Sequence, residues 1–214
     1  MIKRFLPILM MSAINAYAVG PGFYVGMMAG SATNGSGTPI AQINGSGSTT
    51  PVEAKKNQFG TRLFWGYKIN PYASFENGVT LFSSINYSAT DSTVGTNTCS
   101  SPRARVRAMD LVGVGSYPFW NFNVFAKGGV AITNVWLSSA LNPSYTSTCG
   151  SSSNTLNFRP TASVGASYDI SQNWVGDLSW TRIMTYGIVK NVDLYALGFS
   201  YHFTDTYCGQ FLCD

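Results

Sequence analysis

The sequence predicts an all-β chain, an eight-stranded antiparallel up-and-down transmembrane β-barrel. Three observations carry that expectation. The chain opens with an export signal. Its body alternates in apolar-and-polar segments of about ten residues, joined by connections that are short and long in turn. One face of each segment is apolar and aromatic, while the other is small and polar with isolated charges.

The export signal comes first. Lys3 and Arg4 form a basic start, Phe5 to Ile14 are mostly apolar, and Ala16-Tyr17-Ala18 fits a small-residue cleavage pattern. The apolar stretch is too short to cross a bilayer as a helix, and no later segment supplies the roughly 20 apolar residues a transmembrane helix needs. The expected division is therefore a cleaved signal over residues 1–18, a barrel over 19–203 and a short tail over 204–214. Loss of Lys3 and Arg4, with no acid between them, lowers the net charge from +4 to +2. A balance so near neutral, with no clustered basic face among aromatics, argues against nucleic acid as a partner. Only 10% of the residues are charged while 14% are aromatic, against roughly a quarter charged in an ordinary soluble domain. Such a surface suits lipid better than water.

Eight strands follow in order: Phe23–Thr33, Gln58–Asn70, Ala73–Tyr87, Arg105–Pro118, Asn123–Leu137, Phe158–Ile170, Trp174–Thr185 and Val192–Phe203. Short turns are expected at Pro71-Tyr72, Phe119 to Phe122 and Ser171 to Asn173. Long connections span Asn34–Asn57, Ser88–Ala104 and Ser138–Asn157, with a shorter one at Tyr186–Asn191. They are rich in Gly, Ser, Thr and Asn, and Asn34-Gly35-Ser36-Gly37 recurs as Asn44-Gly45-Ser46-Gly47, as flexible low-complexity sequence does. Outer-membrane barrels place short turns in the periplasm and long loops outside, so an even strand count leaves both termini in the periplasm.

The faces decide between a membrane barrel and a soluble sheet. In the second strand Phe59, Thr61, Leu63, Trp65, Tyr67 and Ile69 oppose Gly60, Arg62, Phe64, Gly66 and Lys68. In the last, Tyr195, Leu197, Phe199, Tyr201 and Phe203 oppose Leu194, Ala196, Gly198, Ser200 and His202. Small residues and scattered charges fit the narrow interior of an eight-stranded barrel, which side chains just fill. Tyr67, Tyr72, Tyr117, Trp120, Tyr168 and Trp174 gather toward the short-turn end, as rings with one apolar and one wet side do at an interface. Asp110 breaks the pattern by sharing a face with Val112 and Val114, so a bulge or a misjudged register is expected in the fourth strand.

These residues resemble the OmpA-type transmembrane domain family, the small barrels that include OmpX- and Ail-like proteins. Trp65-Gly66-Tyr67-Lys68-Ile69-Asn70-Pro71-Tyr72, then Phe75-Glu76-Asn77-Gly78, Tyr117-Pro118-Phe119 and Lys127-Gly128-Gly129-Val130 carry the likeness. Leu197 to Phe203 is similar to the family's closing strand. The resemblance covers most of residues 20–203 and implies an integral outer-membrane protein surrounded by lipid and lipopolysaccharide. It also implies an assembly signal, Tyr195, Leu197, Phe199, Tyr201 and Phe203, read by the barrel-assembly machinery. No peptidoglycan-binding domain follows in this sequence, so a wall-anchoring role is not expected.

Three groups of residues carry chemistry. Cys99 and Cys149 fall in neighbouring external loops, Cys208 and Cys213 in the periplasmic tail. The bilayer separates the pairs, which leaves Cys99–Cys149 and Cys208–Cys213 as the expected disulfides in an oxidising compartment. Closing a loop of roughly 50 residues stabilises by about 4 kcal/mol on the chain-entropy model. Cysteines divided between two membrane faces cannot share one metal ion, so neither a metal nor a cofactor is expected. Arg62, Lys68, Glu76, Lys127, Arg159 and Asp177 all fall on inward faces, and charges removed from water must pair. A lumen network with Glu76 and Asp177 as acceptors is the expectation. The single histidine, His202, has Ser200 two residues away, roughly 7 Å along a strand, too far for a nucleophile and its base. Catalysis is not expected. The function this supports is structural or adhesin-like, through external loops that meet a host or envelope ligand. A narrow channel for ions or small solutes is the alternative, and a lipid-active enzyme the weakest reading.

Overall fold

In the computed structural model the described residues are 21–35, 40–43, 49–52, 57–86, 92–94, 97–99, 103–138, 153–185 and 190–203. The signal segment, residues 204–214, and Cys149, Cys208 and Cys213 lie outside them, and only the backbone of Cys99 is described.

Alternation in the sequence becomes a closed wall. The strands are β1 (Gly22–Gly35), β2 (Asn57–Asn70), β3 (Ala73–Phe82), β4 (Arg103–Phe119), β5 (Phe122–Ser138), β6 (Ser153–Asp169), β7 (Trp174–Ile183) and β8 (Lys190–His202). Each pairs antiparallel with its neighbours in sequence, and β8 closes on β1 through partners such as Met28 with Gly198 and Tyr24 with His202. Closure satisfies every edge, which hydrocarbon could not do for an open sheet. Two short hairpins, Ile40–Ile43 with Thr49–Val52 and Ser92–Val94 with Asn97–Cys99, rise within the first two long connections.

The short turns have local causes. Asn70 Oδ1 accepts hydrogen bonds from the backbone N–H of Tyr72 and of Ala73, both at 2.8 Å, an Asx turn that holds Pro71 at the corner. Ser171 Oγ accepts from the Trp174 N–H at 3.1 Å. The turn expected over Phe119 to Phe122 is tighter: Phe119 and Phe122 pair directly, leaving Trp120 and Asn121 at the tip. Trp120 there has φ 59°, a left-handed conformation that a bulky residue adopts only at a cost of about 1–3 kcal/mol. Its ring is 78% exposed and stacks on Phe119 with centroids 6.1 Å apart.

Other boundaries also differ from expectation. The strand expected over Ala73–Tyr87 breaks after Phe82: Ser83 turns back to β2, its Oγ accepting from the Phe59 N–H, before Ile85–Asn86 pair again with β4. Strand β6 begins at Ser153 instead of Phe158 because Ser153–Asn157 pair with Thr133–Leu137 of β5. No bulge interrupts β4, whose register with β3 and β5 runs without a shift. Asp110, Val112 and Val114 all face inward, while Met109 and Leu111 face out.

The outer wall is apolar. Phe23, Val25 and Met27 on β1, Phe59 and Leu63 on β2, Phe158 and Val164 on β6, and Leu197 and Phe199 on β8 are all exposed. A continuous band of this kind belongs in lipid and not in water. The lumen is divided. Toward the long loops, Met28, Ala32, Phe82, Ile85, Val106, Ile183, Val192 and Leu194 pack into a buried apolar plug. Toward the short turns polar and charged side chains face inward beside Tyr24, Phe64, Val114 and Val175.

Candidate functional site

The polar half of the lumen is organised by Glu76. Inward parity on β3 places its carboxylate among Arg62 of β2, Lys127 of β5 and Tyr24 of β1. Arg62 Nη1 stands 2.6 Å from Glu76 Oε1, and Lys127 Nζ 2.7 Å from Glu76 Oε2. The Tyr24 hydroxyl donates to Glu76 Oε2 at 3.3 Å. The second arm of the Arg62 fork reaches Asp110 Oδ1 at 2.6 Å. Two cations and two carboxylates thus form a neutral, buried quartet. Phe64 lies beside both cations, 5.5 Å from the Arg62 guanidinium and 5.2 Å from Lys127 Nζ. Gly78 makes room for Arg62: a Cβ there would sit 2.8 Å from the guanidinium carbon.

Below the quartet, a cavity of about 70 Å³ opens toward the short turns. Lys68, Ser116, Asn123, Asp169 and His202 line its walls. Asp177 also lines it, accepting a hydrogen bond from Ser200 Oγ at 3.0 Å. The quartet forms the floor and the apolar plug lies beyond it.

Of the six charges expected in the lumen, three join the quartet: Arg62, Glu76 and Lys127. Asp177 and Lys68 border the cavity, and Arg159 faces inward on β6 nearer the long loops, opposite Ala131. The principal acceptor beside Glu76 is Asp110, which sequence reasoning set aside as a register fault. The signal that identifies it is the pair Met109 and Leu111, whose outward parity forces the residue between them inward. Tyr24 was also missed; the signal that places it inward is its position between the outward Phe23 and Val25.

Ser200 and His202 are closer than strand spacing suggests. Their side chains lean together, bringing Ser200 Oγ to 3.4 Å from His202 Nε2. The arrangement still lacks the order of a nucleophile, a base and an orienting acid. The Ser200 hydroxyl proton goes to Asp177, and His202 instead stacks on Tyr24, with ring centroids 4.9 Å apart.

The outer surface carries the expected belt. Tyr72, Tyr117, Phe119, Phe122 and Trp174 are exposed at the short-turn end. Tyr195, Leu197, Phe199 and Phe203 are exposed on the closing strand, with Tyr201 half-buried between Trp174 and Phe203.

Comparison with known proteins agrees with this architecture. Residues 21–207 match the family described as the OmpA-like transmembrane domain. An uncharacterized protein of Coxiella burnetii (strain RSA 493 / Nine Mile phase I) is 28% identical over 213 residues, covering 86% of each chain. Among solved structures, Neisserial surface protein A is similar with a TM-score of 0.56 at 16% identity, over 85% of this chain and 97% of its own. The outer membrane protein OprG of Pseudomonas aeruginosa gives 0.53 at 10% identity, over 86% and 98%.

Proposed function

Since the chain belongs to the OmpA-like transmembrane domain family and is an integral outer-membrane β-barrel, we propose that it is a closed scaffold presenting its long polar loops to a host or envelope ligand. One observation carries this reading: the lumen is filled, by a buried ion quartet and then by an apolar plug. A molecule built to pass solute does not seal its own bore, so the surface left to meet partners is the external one. Barrels of this family are generally non-enzymatic, and the Asp177–Ser200–His202 order supports no catalytic role. The channel reading has one observation in its favour, the cavity that enters from the periplasmic mouth, but that cavity ends at Glu76 and Lys127.

Deletions confined to residues 36–56 and 139–152 spare every barrel strand. They should leave assembly intact, shown by the usual difference in gel migration between unheated and boiled samples. Adhesion of cells displaying the barrel to host or envelope surfaces should fall at least tenfold. Unchanged adhesion by a correctly assembled double deletion contradicts the loop-mediated role.

We also propose removal of residues 1–18, the disulfides Cys99–Cys149 and Cys208–Cys213, and recognition of the stripe Tyr195 to Phe203 by the assembly machinery. Non-reducing peptide mapping of protein from outer membranes reads the first two together. The expected result is Val19 at the N-terminus and these two linkages; a Cys99–Cys208 bridge would contradict the topology.

A further inference from the structure

Arg105 and Arg107 lie on β4 at the long-loop end, on the outward face. With Asn134 and Trp136 of β5 and Asn154 of β6 they line an external cleft of about 300 Å³. Directly below them on the same wall are Met109, Leu111, Val130, Leu156 and Phe158, all exposed and apolar. At about 3.3 Å per residue and a tilt near 40°, the climb from the interfacial Phe119 to Arg107 is roughly 30 Å, slightly more than the roughly 25 Å height of a barrel's apolar band. The two guanidinium groups therefore stand where the acyl chains of the external leaflet end and its headgroups begin.

Their surroundings prepare them for an anion. Arg105 Nε donates to Ser84 Oγ at 3.0 Å, and its guanidinium lies 5.8 Å from the Trp136 ring centroid. That leaves the terminal nitrogens of a positioned fork to face outward. Among the described residues neither Arg105 nor Arg107 meets a carboxylate. The barrel handles a comparable arginine differently elsewhere on the wall: Arg182 is neutralised by Asp193, with Nε 2.7 Å from Oδ1. Two guanidinium forks that meet no carboxylate among the described residues, beside amide side chains and directly above an apolar wall, match a phosphate carried on acyl chains.

We propose that Arg105 and Arg107, with Asn134 and Asn154, bind a phosphate of a phosphorylated lipid in the external leaflet, such as lipopolysaccharide presents. Trp136 fixes the depth of the headgroup, and the Met109–Leu111 surface takes the chains. The proposal rests on the outer-membrane placement and is independent of any ligand for the loops.

The test is lipid titration of the folded full chain in neutral detergent, with bound lipid counted by native mass spectrometry. The two probes are bisphosphorylated lipid A and the same lipid with its phosphates removed. Unmutated protein should prefer the phosphorylated lipid at least tenfold, and less as salt rises. R105Q/R107Q should bind the two lipids equally, whereas R182Q should keep the preference. Equal binding of both lipids by unmutated protein, or full preference in folded R105Q/R107Q, overturns the proposal. So does complete displacement of the lipid by equimolar orthophosphate, which would mark a site for free phosphate. If R105Q/R107Q does not fold, the unmutated comparison decides alone.

Discussion

Glu76→Lys will convert to the unfolded form at a much lower temperature than the unmutated barrel, as read from the gel shift between folded and boiled protein. Glu76 is 2% exposed and is the shared partner of Arg62 and Lys127. Removing one member of a buried ion pair costs about 3–5 kcal/mol, because the partner charge stays behind without compensation. Lysine does worse than removal, gathering three cations around the single remaining carboxylate, Asp110. Exchange of both charges, in Glu76→Lys with Lys127→Glu, restores the count and should recover part of the loss. A single variant that melts with the unmutated protein would mean that the quartet is solvated and carries little of the fold.

The second large effect comes from the smallest inward side chain. In Gly78→Val the new Cβ would lie 2.5 Å from Arg62 Nη2 and 2.8 Å from its Cζ. A free arginine would swing aside. Here the guanidinium is held at 2.6 Å by Glu76 on one arm and Asp110 on the other, so moving it gives up at least one charge-assisted bond. Overpacking of about 1–3 kcal/mol and a lost bond to a charged group of about 1.5–3 kcal/mol together predict a loss of roughly 2.5–6 kcal/mol in the same melt. Gly115→Ala is the control, since a Cβ there meets nothing within 4 Å; it should stay within about 0.5 kcal/mol. Equal behaviour of the two variants would mean that Gly78 is not what admits Arg62.

Strand number, wall parity and closure were legible because a barrel strand sees two different surroundings, lipid and lumen, in strict alternation. What failed, failed for physical reasons. Ser153–Asn157 looks like loop because Ser153, Asn154, Thr155 and Asn157 are polar, yet pairing with Thr133–Leu137 makes it strand. Local sequence does not report a partner strand. Asp110 seemed out of register because Val112 and Val114 point inward beside it on the short-turn side, so the binary code loses contrast there. The Ser83-Ser84 break is set by a hydroxyl bonding to a neighbouring backbone, a competition with the ladder that propensity does not rank. At the cavity, residue type identified the charges, but only the fold could show that Arg62 bridges two acids while Arg159 lies outside the quartet.

The most direct test of the closed lumen is conductance of the purified, unmutated barrel in a planar bilayer. The quartet of Arg62, Glu76, Asp110 and Lys127, capped by the apolar plug from Met28 to Leu194, predicts a quiet membrane without steady openings. Glu76→Lys, if it remains assembled, should then raise the current. Sustained, ion-selective openings of the unmutated protein, unchanged by Glu76→Lys, would contradict the account.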